Sequence, residues 1–71
     1  MLKKRSFAIA GHRTSIALEP EFWAILQEDA RVRGISLAAL VAQVDAARNE
    51  RALASALRLH ALERAAAKIN V

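Results

Sequence analysis

Cysteine and tyrosine are absent from these 71 residues, proline occurs once and glycine twice. Without cysteine there is no disulfide framework and no thiolate metal site. The two histidines, His12 and His60, stand far apart with no ligand-spaced neighbours, so no metal centre is expected. Aromatic side chains make up only 4% of the chain. Phe22 and Trp23, at helical spacing beside Leu26, read as core rather than as a stacking platform for single strands. Long apolar runs are also missing. None approaches the roughly 20 residues that cross a bilayer, and the run after the basic start, residues 7–10, is too short for a signal peptide. Catalytic signatures are lacking too: the carboxylates are scattered, no glycine-rich phosphate loop occurs, and the hydroxyl residues have no credible base. The sequence predicts a soluble, cytoplasmic protein that is not an enzyme, with no cofactor and no membrane partner.

What is present is apolar and basic. Hydrophobic residues make up 55% of the chain, most of them alanine and leucine. A chain this short buries only about 60% of its unfolded surface when folded alone. Cores of this size usually need disulfides, a metal or a partner chain. With the first two excluded, a homodimer is expected. The net charge is +4, but its placement says more. Lys3, Lys4, Arg5 and Arg13 all precede the first acidic residue, Glu19. A purely basic segment on a charge-balanced body points to a polyanion, whether DNA, RNA or an anionic membrane surface, or simply aids solubility.

Residues 3–10 alternate, with Phe7 and Ile9 on one side and Ala8 and Ala10 on the other. Gly11-His12 suits a hairpin turn, which would set Phe7 opposite Ile16 and Ile9 opposite Thr14. It could equally be a kink in one long strand, or residues 3–10 could be a mobile arm. From residue 13 the alternation resumes: Thr14, Ile16 and Leu18 share one face, and Arg13, Ser15 and Ala17 the other. Glu19-Pro20 closes the strand and opens a helix, which Gly34 ends. Asp29 and Arg33 form an i, i+4 pair on it. Ser36 is an N-cap for a second helix over residues 37–48, with Leu37, Leu40, Val41 and Val44 as its stripe. A third helix is expected over residues 50–68, carrying Leu53, Leu57 and Ala61, with Leu59 and Leu62 nearby and His60 at the boundary. No internal repeat is expected.

The order strand, helix, glycine turn, serine-capped helix and further helix resembles the ribbon-helix-helix DNA-binding family. The residues that carry the resemblance are the strand 13–18, the Glu-Pro-Glu-Phe helix start, and Arg-Gly-Ile-Ser-Leu-Ala-Ala-Leu-Val across the turn. GHRTSIALEPEFW, GISLAALV and ALASALRLHALE look like a bacterial subgroup of short stand-alone members. The likeness covers residues 4–63. It implies a mainly α fold with an N-terminal β-ribbon, an intertwined homodimer in which two chains each donate a strand, and an additional C-terminal helix. Residues 1–48 would hold the basic segment and the ribbon-helix-helix core, and 49–71 the extra helix of the same domain.

The function implied is sequence-specific binding of double-stranded DNA, with the ribbon in the major groove, by a small transcriptional regulator. Arg13, Ser15 and Ala17 would meet base edges, Arg13 as a fork to guanine. Ala17 departs from the family's pattern, where a long polar side chain is common, and can touch only a thymine methyl. Lys3, Lys4 and Arg5 would meet phosphates. So would Ser36 and the backbone N–H groups of Ile35 to Leu37 at the helix start. Residues 50–71 could instead bind a protein partner, as an antitoxin tail binds its toxin. A module that kept the dimer but lost sequence-specific DNA binding is the other alternative.

Overall fold

Two residues with left-handed backbone, Ala10 at φ 51° and Gly11 at φ 81°, fold the start of the chain back on itself. The computed structural model describes residues 1–69. Strand β1 (Lys3–Ile9) pairs antiparallel with β2 (His12–Leu18), followed by α1 (Pro20–Arg33), α2 (Leu37–Ala47) and α3 (Leu53–Ile69). Residues 3–9 are therefore a second strand, neither an arm nor an extension of β2. The strand that the family resemblance pairs with another subunit finds an antiparallel partner within its own chain.

The turn lies one residue earlier than Gly11-His12. Positive φ at both central positions is the I′ pattern, whose twist matches that of the flanking strands. The register moves by two residues as a result: Phe7 faces Thr14, Arg5 faces Ile16 and Ile9 faces His12. A two-residue shift leaves every side chain on its expected face. It also sets Phe7 opposite the smaller Thr14 and Ile16 opposite the flexible Arg5.

The helix boundaries follow local chemistry. The Glu19 carbonyl accepts from the Phe22 and Trp23 N–H groups at 3.0 and 3.3 Å, and Pro20, lacking an N–H, occupies the first turn. At the other end Gly34 takes φ 71°. Its N–H donates to the Arg31 carbonyl at 3.1 Å, and that of Ile35 to the Ala30 carbonyl at 3.0 Å. Ser36 Oγ accepts the Ala39 N–H at 3.0 Å and caps α2. α2 ends at Ala47, and Asn49 turns the chain at φ 58°. Arg48 holds this corner, donating to the Asp45 carboxylate and the Arg51 carbonyl, each at 2.7 Å. α3 starts at Leu53 rather than at 50. Glu50, Arg51 and Ala52 offer no capping hydroxyl to mark that start.

The core gathers Ile9, Ile16 and Leu18 from the ribbon, Trp23, Leu26 and Ala30 from α1, Leu37, Leu40 and Val41 from α2, and Leu57 and Ala61 from α3. α3 thus closes a core that two short helices and a ribbon would leave open. Its neighbours Leu59 and Leu62 point outward instead, 41% and 54% exposed. α3 is also held by charge. Asp29, buried on α1, accepts from Arg33 at 3.2 Å and from His60 Nε2 at 2.8 Å, and is ion-paired with Arg64 at 3.2 Å. Burial pushes the Asp29 carboxyl up. The His60 hydrogen bond and the Arg33 and Arg64 charges outweigh that and hold it below its ordinary value. A second tie joins Arg58 to Glu19 at 2.9 Å, lowering the Glu19 carboxyl through that hydrogen bond.

Candidate nucleic-acid interface

Period-2 alternation divides the ribbon into two unlike faces. Against the helices lie Arg5, Phe7 and Ile9 of β1 and Thr14, Ile16 and Leu18 of β2, all buried or half-buried. Trp23 organises this side. Its Nε1–H donates to the Lys3 carbonyl at 2.8 Å. Its ring lies 5.9 Å from that of Phe7, and the Arg5 guanidinium sits 5.4 Å from the ring centroid. The opposite face carries Lys4, Ser6 and Ala8 from β1 and Arg13, Ser15 and Ala17 from β2, exposed except for the half-buried Ala17.

On that outer face Lys4 lies across from Ala17, Ser6 from Ser15, and Ala8 from Arg13. The two serine hydroxyls share a hydrogen bond of 3.0 Å. Among the described residues, Lys4 and Arg13 make no ion pair or side-chain hydrogen bond. The ribbon contains no acidic residue. A two-stranded ribbon of this width, about 5 Å between strands, enters a major groove about 12 Å wide.

The site residues expected from the sequence divide accordingly. Arg13, Ser15, Ala17 and Lys4 come together on the outer face. Lys3 and Arg5 belong to the opposite side of the pleat, where Arg5 stacks on Trp23. Ile35 cannot offer its N–H to a phosphate, because that group already donates to the Ala30 carbonyl. Ser36 and Leu37 open the first turn of α2, where backbone N–H groups lack helical partners. The Ser36 hydroxyl is engaged as the cap and the Leu37 side chain is buried. Ser6 and Ala8 were not among the expected contacts. Their signal lay in the same alternation: once Phe7 and Ile9 face inward, Ser6 and Ala8 face outward.

A basic two-stranded ribbon mounted on helices is the architecture of a β-ribbon DNA-binding domain. The ribbon-helix-helix domain family matches residues 2–65, and the chain belongs to that family, a DNA-binding and non-enzymatic fold whose members typically bind DNA as dimers. Comparison with curated proteins and with solved structures gives no match. Among the described residues no helix is long and apolar enough to cross a membrane, and no group of three or more His, Cys, Asp or Glu could hold a metal ion.

Proposed function

We propose that this chain is a small transcriptional regulator that binds double-stranded DNA in a sequence-dependent way, laying the outer face of its ribbon in the major groove. The observation that carries this reading is the outer face itself: Lys4 and Arg13 at opposite corners, a serine pair between them, and no acid on either strand. Arg13 reads a guanine through its fork, and Ser15 and Ala17 add weaker hydroxyl and methyl contacts. The free N–H groups at the start of α2 hold phosphates. The protein needs no catalytic group or cofactor for this, and it works where bacterial DNA is, in the cytoplasm. Residues 1–48 form the reading core, and α3 completes the same domain. A homodimer is the working assembly; exposed Val32, Leu59 and Leu62 are apolar surface that a second copy would cover.

Binding to random and genomic duplexes at two salt concentrations tests this reading, with Arg13→Ala alongside. Enrichment of a short site, weakened by about 1–3 kcal/mol in the variant, supports it. Equal binding to every sequence, falling with salt by about 0.9 log units per phosphate neutralised, would indicate an architectural binder instead. No binding to any duplex would favour a protein-interaction module.

A second reading makes residues 50–71 the toxin-binding tail of an antitoxin. Exposed Leu59 and Leu62 favour it. The fully buried Leu57 and Ala61 and the Asp29 cluster weigh against it, since a tail already folded has little ordering to gain from a partner.

A further inference from the structure

β1 and β2 are each seven residues long, and they carry one pattern twice, nine positions apart. On the outer face Lys4 corresponds to Arg13, Ser6 to Ser15 and Ala8 to Ala17. On the inner face Phe7 corresponds to Ile16 and Ile9 to Leu18. The sequence was expected to hold no internal repeat, and the unlike pair of Arg5 and Thr14 helps to hide this one. The antiparallel register converts the repeat into local symmetry. A half-turn about an axis between Ser6 and Ser15 carries Lys4 onto Arg13 and Ala8 onto Ala17. The 3.0 Å hydrogen bond between the two serine hydroxyls lies on that axis.

We propose that a single chain forms a complete, quasi-symmetric reading head for duplex DNA. Lys4 and Ser6 read one half of a short quasi-palindromic site, and Arg13 and Ser15 read the other. This rests on the DNA-binding reading above and makes β1 a reader rather than a basic flank. Lys4 and Arg13 are offset by four residues along the ribbon, about 13 Å at the rise of a strand. That distance corresponds to about four base-pair steps of 3.4 Å. The symmetry is not complete. Arginine presents a planar fork to guanine, whereas lysine is a compact point charge with rotatable donors. The Arg13 half of the site is therefore the more stringent.

The test is selection from random duplexes by the full chain and by Lys4→Ala, Arg13→Ala and Lys4→Arg. All three changes fall on exposed side chains, and thermal unfolding confirms that the fold is kept. The expected result is that each alanine variant relaxes preference in one half of the site only, weakening binding to the preferred site by about 5- to 150-fold. Lys4→Arg makes the selected site more symmetric. If Lys4→Ala changes neither affinity nor preference, β1 does not read, although DNA binding through β2 stands. If Arg13→Ala relaxes both halves together, the ribbon in the groove is shared between two copies and the single-chain head is wrong. A wild-type chain that selects no site at all removes the DNA-reading function and this inference with it.

A cross-link gives an independent answer. Oxidation of the Ser6→Cys, Ser15→Cys double variant, in a chain with no other cysteine, should yield a disulfide within one chain. Covalently paired chains would overturn the proposal.

Discussion

The two faces of the ribbon use alternate residues of the same two strands, yet they relate to the rest of the molecule in opposite ways. The inner face is held by Trp23, through the Lys3 carbonyl, the Phe7 ring and the Arg5 guanidinium, and by the burial of Ile9, Ile16 and Leu18. The outer face has one internal hydrogen bond, between Ser6 and Ser15, and apart from the half-buried Ala17 presents its side chains to solvent. Lys4 and Arg5 show what this means. They are adjacent and both cationic, but the pleat gives one to the surface and the other to a tryptophan ring. On the reading proposed above, stability and recognition fall to alternate residues, so each can be perturbed without the other.

The largest test of that separation is Trp23→Ala. Removing a large buried aromatic typically costs about 3–5 kcal/mol, and here it also leaves the Lys3 carbonyl without its indole partner. Urea unfolding should show the full loss, whereas Arg13→Ala on the outer face should leave the midpoint unmoved. Comparable stabilities for the two variants would break the distinction between the faces.

Asp29→Asn probes the other end of the same scaffold, with an expected cost of about 1–3 kcal/mol at neutral pH. The sign with pH follows from the lowered carboxyl. Its contribution is present above the ordinary value of 3.8 and is lost as pH falls through the lower value of the folded state. Wild type and variant should therefore converge in acid; a gap that persists unchanged to the lowest pH would mean that the charge of Asp29 does not hold α3. The smallest effect expected is that of Ser36→Ala, about 1 kcal/mol for loss of the cap. Thermal unfolding that showed no change would mean that α2 is fixed by Leu37, Leu40 and Val41 alone.

Much of this molecule could be read from its punctuation. Glu19-Pro20, Gly34 and Ser36 act through their own backbone preferences and capping groups, so they mark boundaries without reference to the rest of the fold. The grouping of Thr14, Ile16 and Leu18 on one face followed from alternation alone. The hairpin register did not. Ala10 gives no sign that it will adopt a positive φ, and Gly11 suits the first or the second position of a tight turn. Asp29 was visible as the partner of Arg33 but not as a buried hub. His60 and Arg64, which complete it, lie 31 and 35 positions later and meet it only once α3 has docked. The swap of Lys3 and Arg5 to the inner face was legible in principle, since both share the parity of Phe7. The concentration of charge at the N-terminus masked that parity.

On the single-chain reading proposed above, encoding both strands in one chain also changes how sequence preferences can drift. Where identical subunits share a ribbon, each mutation enters the face twice, and a target must change on both sides of its centre at once. With β1 paired to β2 in the same chain, a mutation alters one edge only. Binding sites and protein can then diverge by single steps, one half at a time.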